Sequence, residues 1–269
     1  MTASSPTTRT WAARRSGPRA DTPLYDDIGH GYARTREADP RIAAAIDRAL
    51  GDARTVVNVG AGAGSYEPAD REVTAVEPSQ AMIDQRPPDA APCIRAAAEA
   101  LPFADDSFDA ALASMTVHHW DDLDRGLAEL RRVARDRIVI FTWDPDVAAE
   151  FWLTADYLPE LRELDLFRFE SPAELAGRVG GATTTAVPIP ADCRDGFIEA
   201  FWARPEAYLD PVVREGMSGM RAMDQEVVAT AMARLEADLR SGEWDRRHGH
   251  LRDRAEMELG YRLVLAELR

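Results

Sequence analysis

The chain has 269 residues, 45% of them hydrophobic and 29% charged, which suits a soluble globular fold with one large α/β domain or a smaller domain carrying a cap. A formal net charge of −15 repels phosphate backbones, so nucleic acid is not expected as a partner, and no run approaches the roughly 18 apolar residues of a membrane helix. Every basic residue is Arg; with no Lys, neither a Schiff base nor a Lys general base can form.

Residues 1–20 are rich in Thr, Ser, Pro and Arg, and read as a disordered tail without the apolar core of a signal peptide. A cytoplasmic location is the expectation. The spacing of Ile42, Ile46 and Leu50 predicts a helix over residues 40–50, stopped by Gly51. The β-branched run 55–60 predicts a buried parallel strand, and residues 72–77 a second one followed by Pro78. A helix between these two strands has little room, because the span is short and contains Pro68. A weak third strand lies near 92–96, a fourth at 108–114 and a fifth at 137–143. Leu123, Leu127, Leu130 and Val133 form the apolar stripe of a helix over about 122–134, with Asp121 or Asp122 as its cap.

Beyond Trp143 the pattern changes to an aromatic-rich stretch over 144–170. A capping-box pattern at Ser171 and Glu174 starts a helix that ends at Gly180 and Gly181, and a strand is expected over 182–190. A long, mostly helical stretch over 195–252 and a strand at 261–265 close the chain. Alternating strands and helices predict an α/β fold: a doubly wound, mostly parallel seven-stranded sheet with a helical cap inserted before the last strand. Residues 21–269 form one domain on this reading, with core segments at about 40–143, 171–190 and 259–269. The cap comprises about 21–39, 144–170 and 191–258.

Gly60, Gly62 and Gly64 directly follow the first strand, and glycine there permits a tight turn and close backbone approach to a ligand. Glu77 ends the second strand, where a carboxylate can accept both hydroxyls of an adenosine ribose. A dinucleotide loop reads G-x-G-x-x-G; here the third glycine comes one residue early, which disfavours a pyrophosphate at a helix N-terminus.

Four segments in order, VVNVGAGAG at 56–64, VEPS at 76–79 with Met82, AEALPF at 98–103 and DSFD at 106–109, resemble the motifs of class I S-adenosylmethionine-dependent methyltransferases. The similarity spans about residues 25–143 and is nearest to the type 11 small-molecule group, which includes the ubiquinone and menaquinone C-methyltransferases. The resemblance implies that S-adenosylmethionine is the cofactor. Gly60, Gly62 and Gly64 would pass under its methionine part, Glu77 would hold the ribose, and Met82 would pack near the adenine. Ala98 and Glu99 would meet the adenine edge, while Pro78 and Ser114 complete the cofactor-binding set. Two positions depart from the family pattern: Asn58 and Ala97 stand where acidic residues are usual.

Tyr25, Tyr32 and Arg36 either pack as ordinary aromatic and surface residues or close over the cofactor, Arg36 or a tyrosine hydroxyl meeting its carboxylate. His118 and His119, just past the fourth strand, either shape the loop or act in catalysis as a general base. His119 is the first choice because Asp122 completes a His-x-x-Asp pattern seen in related enzymes. Adjacent histidines rarely point the same way, and Cys93 and Cys193 have no metal-ligand spacing, so no metal is expected. Trp143, Trp152, Tyr157 and Trp202 are candidates to line the pocket of a small-molecule substrate, with core packing as the alternative. The expected activity is methyl transfer to N, O or C of that substrate in specialised metabolism; a cofactor-binding cyclase or sensing module is the alternative.

Overall fold

The computed structural model describes residues 36–269, apart from the side chains of residues 166–168. Tyr25, Tyr32 and the expected tail over 1–20 lie outside the described residues. Helix α1 (Pro40–Leu50) starts where Asp39 accepts the N–H of Arg41 and ends at Gly51, whose φ of 58° suits a residue without Cβ. Strands β1 (Thr55–Val59) and β2 (Glu72–Val76) follow, then the one-turn α2 (Gln80–Ile83), β3 (Cys93–Ile94) and β4 (Phe108–Ser114). Helix α3 (Leu123–Val133) is capped by Asp122 and runs into β5 (Ala134–Trp143) without a loop, three residues earlier than the apolar run alone indicates.

The chain continues through α4 (Pro145–Ala148), a π-helical turn at Leu153–Tyr157, α5 (Glu160–Arg168), α6 (Pro172–Val179), β6 (Thr183–Ala186) and β7 (Ile189–Pro190). Helices α7 (Pro211–Glu215), α8 (Ser218–Ala222), α9 (Gln225–Ser241) and α10 (Glu243–His248) precede β8 (Glu256–Met257) and β9 (Tyr261–Glu267). The main sheet has seven strands in the order β3-β2-β1-β4-β5-β9-β6. Pairings from β3 through β5 are parallel, and β9 runs antiparallel to both β5 and β6. The expected doubly wound fold is therefore present, with the helices α7–α10 inserted between β6 and the last strand.

Strand β5 shows why its sequence reads as an unbroken apolar run. Ile138 and Ile140 face a core shared with Leu127, Leu130 and Leu175 of α3 and α6. Val139 and Phe141 face the opposite core, with Ile42, Ile46 and Leu50 of α1. A strand buried on both faces has no polar alternate positions. The parallel strands β1 to β5 place their carboxyl ends on one rim, where α/β sheets bind ligands.

The strand expected over 182–190 is two strands: β6 on the edge of the main sheet, and β7 paired with β8 in a separate ribbon. Pro188 has no N–H to continue the ladder with β9, so the chain leaves the sheet there. Between β1 and β2 the structure has only turns, with no crossover helix over residues 60–71.

Candidate active site

The glycine loop springs from β1 and is pinned to β2: the N–H groups of Gly60 and Ala61 both donate to the carbonyl of Val76, at 2.8 and 3.0 Å. Gly60 has φ 70°, and a Cβ there would lie 1.9 Å from Thr116 Oγ1, so only glycine fits. Glu77 is 6% exposed. One of its carboxylate oxygens accepts the Gly62 N–H at 2.8 Å and the other the Ser79 N–H at 2.9 Å. Glu77 therefore shapes the loop it was expected to serve, tying Gly62 to the start of α2. Met82 on α2 is buried, and its Cε would sit 3.3 Å from a Cβ at Gly62. Pro78 lies between Glu77 and Ser79 in the same turn.

Across the rim, Ala98 is buried, and Glu99 accepts the backbone N–H of Asp122 at 3.1 Å, joining this segment, expected to meet the adenine edge, to the start of α3. Asp122 itself spends its side chain as the cap of α3, accepting the Arg125 N–H at 3.0 Å. The expected His-x-x-Asp pattern thus has its carboxylate on the helix end, because a free N-terminus there needs an acceptor. Ser114 ends β4 beside Phe141. The next residue, Met115, has φ 50°, a left-handed conformation costly for a side chain and typical of constrained sites. His118 and His119 follow in a single 3₁₀ turn, their ring centroids 3.8 Å apart. His118 stacks on Phe169 at 4.1 Å and borders a cavity of about 250 Å³, whose wall also includes Trp120, Asp121, Thr142 and Glu170. Thr116 joins the halves of the rim: its side chain backs Gly60, and its carbonyl accepts the His119 N–H at 2.8 Å.

Residues 57–141 match the family model of a methyltransferase domain. A structure from Anabaena variabilis, assigned as a methyltransferase of an antibiotic biosynthesis pathway, is 33% identical, with 86% of this chain and 98% of that one covered and a TM-score of 0.80. The chain belongs to the class I S-adenosylmethionine-dependent methyltransferases. A Thermotoga maritima methyltransferase described as a possible histamine N-methyltransferase is 26% identical, over 61% of this chain and 84% of that one, at a TM-score of 0.49. The [4+2]-cyclase SpnF is 15% identical, over 93% of this chain and 97% of that one, at 0.51, a likeness of fold alone. No curated protein matches the chain.

The methyltransferase contains polar groups at the rim that its sequence did not single out. Asp195 is fully buried, ion-paired with Arg36, and accepts the Tyr66 hydroxyl at 2.7 Å and the Gly196 N–H at 2.7 Å. Arg36 was expected to meet the cofactor's carboxylate; the structure joins it to Asp195 through Nε and Nη2. Burial, reinforced by the Asp195 carboxylate, pushes the Tyr66 hydroxyl well above the usual tyrosine range. Glu199 is 1% exposed and accepts the Tyr261 hydroxyl at 2.6 Å through one oxygen, while the other has no hydrogen-bond partner. Burial raises its carboxyl to about 7. No local sequence pattern marks these groups, because their partners are 62 to 159 residues apart.

Trp143 ends β5, stacks on Tyr261 and meets Phe169 edge-on at 5.3 Å, which places it next to the ring stacked on His118. Trp143 is nonetheless buried, its indole N–H donating to the Leu259 carbonyl at 2.9 Å, and Trp152, Tyr157 and Trp202, also expected at a substrate pocket, pack in the same core. Trp202 is 0% exposed, and its indole N–H donates to the Ile189 carbonyl. The Trp152 indole donates to the Trp202 carbonyl at 2.9 Å, and the Tyr157 hydroxyl to Asp238 at 2.7 Å. Their large apolar surface is the physical reason: packing them against Tyr208 and Trp244 gives this region its core.

Among the described residues no helix is long and apolar enough to cross a membrane, and no group of three His, Cys, Asp or Glu side chains is arranged to hold a metal ion.

Proposed function

We propose that the chain methylates a small-molecule acceptor positioned over the carboxyl ends of β4 and β5, with an imidazole nitrogen of His119 taking the acceptor's proton. The observation that carries this reading is Thr116, which packs against the glycine loop with its side chain and holds the histidine turn with its carbonyl. Cofactor loop and candidate base are thereby parts of one rigid rim.

S-adenosylmethionine supplies, when bound, a methyl group on a positively charged sulfur. The residues present suit it. Asn58 Oδ1 is a buried acceptor without a partner at the end of β1, fitting a ligand that carries an ammonium. Gly60, Gly62 and Gly64 leave the loop backbone open to close approach, with Glu77, Pro78 and Met82 on its β2 side. Ala98, Glu99 and Ser114 extend the same rim toward the cavity.

On this reading the protein orients more than it reacts. Holding acceptor and methyl in line contributes about 7–11 kcal/mol toward the barrier, and a positioned base adds roughly 10²–10⁴-fold. His118, stacked on Phe169, supports the wall beside His119. The segments 144–170 and 191–258 form the cap over this rim, with Trp143 at the boundary. The charge of −15 favours a small molecule over nucleic acid, and two free cysteines suit the reducing cytoplasm. The likeness to quinone C-methyltransferases adds activated carbon to amines and phenols as acceptors to be tried, with specialised metabolism as the setting.

Incubation with methyl-labelled S-adenosylmethionine and a panel of amines, phenols and enolisable carbon acids tests the proposal. Label should move into at least one acceptor class, and His119→Ala should reduce that transfer. Tight cofactor binding with label retained across all three classes would make the protein a binding module.

A further inference from the structure

The crossover between β1 and β2 lacks the helix that usually braces such a loop, and a buried polar cluster occupies its place. Arg86, in the segment after α2, and Glu67, near the end of the glycine loop, are 5% and 9% exposed in their side chains. Arg86 Nη2 donates to both oxygens of Glu67 at 2.8 Å, and Nη1 donates to the Gly62 carbonyl at 3.2 Å. Both residues also bind the backbone of Ala91: Arg86 donates to its carbonyl at 3.0 Å, and Glu67 accepts its N–H at 3.3 Å. The loop at Gly62 and Glu67, the turn at Arg86 and the backbone at Ala91 are thus joined around one ion pair.

The cluster also determines which way Asn58 faces. The Asn58 Nδ2 group donates to Glu67 Oε1 at 3.2 Å, which leaves Oδ1, not Nδ2, as the buried atom without a partner. An Asn amide can turn by half a revolution at little cost, and only its hydrogen bonds decide the orientation. A carboxylate at position 58 would lie against the carboxylate of Glu67, where like charges repel. The neutral amide at 58 therefore suits the acid at 67 better than a carboxylate would.

We propose that Glu67 and Arg86 are positioning residues for the cofactor: they replace the missing crossover helix as the brace of the glycine loop and turn Asn58 so that its oxygen meets the cofactor's ammonium. The proposal rests on the reading of residues 60–64 as the cofactor loop. Buried charge is suited to the task because an ion pair in a dry site tolerates one geometry only, at the expense of desolvation.

Calorimetric titration of the full chain with S-adenosylhomocysteine, and with 5′-methylthioadenosine, which has no ammonium group, tests it. Asn58→Asp should lose at least 10-fold in affinity for S-adenosylhomocysteine, and the double variant Asn58→Asp/Glu67→Gln should recover most of that loss. Asn58→Ala, which adds no charge and should fold, is expected to weaken S-adenosylhomocysteine severalfold while leaving methylthioadenosine within 2-fold. A merely structural brace would lower the melting temperature and weaken both ligands alike, without reciprocal rescue. Unchanged affinity in Asn58→Asp, or no recovery in the double variant, would overturn the proposal. Absence of binding of either ligand to the wild-type chain would instead overturn the reading of the loop itself.

Discussion

The β1–β2 end of the rim and the aromatic region beyond β5 are built on opposite plans. At β1–β2 the chain uses backbone N–H groups, glycines and buried carboxylates, and leaves Asn58 Oδ1 without a protein partner. Beyond β5 it uses Trp152, Tyr157, Trp202, Tyr208 and Trp244, all at most 3% exposed, with the Trp152, Tyr157, Trp202 and Tyr208 polar atoms bonded inside the protein. The first arrangement leaves a buried acceptor unpaired beside the glycine loop; the second pairs the polar atoms of four of its five rings inside the protein, Trp244 Nε1 being the exception. Substitutions at the aromatic side should therefore unfold the protein, and those at the rim should spare folding and damage binding or turnover.

The largest effect is expected from Trp202→Ala, which empties a fully buried site and should cost about 3–5 kcal/mol, read as a lowered denaturant midpoint. A midpoint close to wild type would dissolve the contrast from the cap side. Next, His119→Ala should lower kcat by about 10²-fold or more, with S-adenosylhomocysteine affinity nearly unchanged. If His118→Ala lowers kcat in its place, the assignment within the pair reverses.

Glu199 bridges the two plans, being buried among aromatics yet titratable. Its carboxyl is raised from the usual 4.5 to about 7, so the folded state holds a proton that the unfolded state releases earlier. Stability from this group is therefore fully present below about pH 4.5 and is lost as pH rises to about 7, on the order of 3 kcal/mol. Glu199→Gln should flatten that decline in urea melts across the same window; an identical slope in the variant would contradict the assignment. The smallest shift is that of Glu77→Ala, about 10-fold in cofactor affinity, since a charge-assisted hydrogen bond contributes about 1.5–3 kcal/mol. A loss of stability without a loss of affinity would make Glu77 part of the scaffold alone.

The same contrast explains what the sequence made legible. Strand runs such as 55–59 and 138–143 are buried on both faces, so their apolar continuity shows without a structure, and with it the doubly wound, mostly parallel sheet. The glycine loop and Glu77 are readable because their chemistry is contiguous. Glu67 with Arg86, Asp195 with Arg36 and Tyr66, and Glu199 with Tyr261 are not readable, since each pairing forms only when distant segments meet. Aromatic residues misled for a related reason: a core indole such as Trp202 looks in sequence like one that lines a pocket, and only packing separates the two. Asn58 marked a departure from the family pattern whose physical cause, the carboxylate of Glu67, lies nine residues away in a loop with no periodicity.

The central claim is that the rim formed by residues 58–82 is the cofactor site, and titration of S-adenosylhomocysteine into the full chain tests it most directly when wild type is compared with Gly62→Val. A Cβ at Gly62 meets Met82 Cε at 3.3 Å on a backbone of φ 53° that valine resists. The account predicts micromolar binding to wild type and at least a 10-fold loss in the variant, with the fold retained by circular dichroism. Equal affinity in the two proteins, or none in wild type, would contradict it.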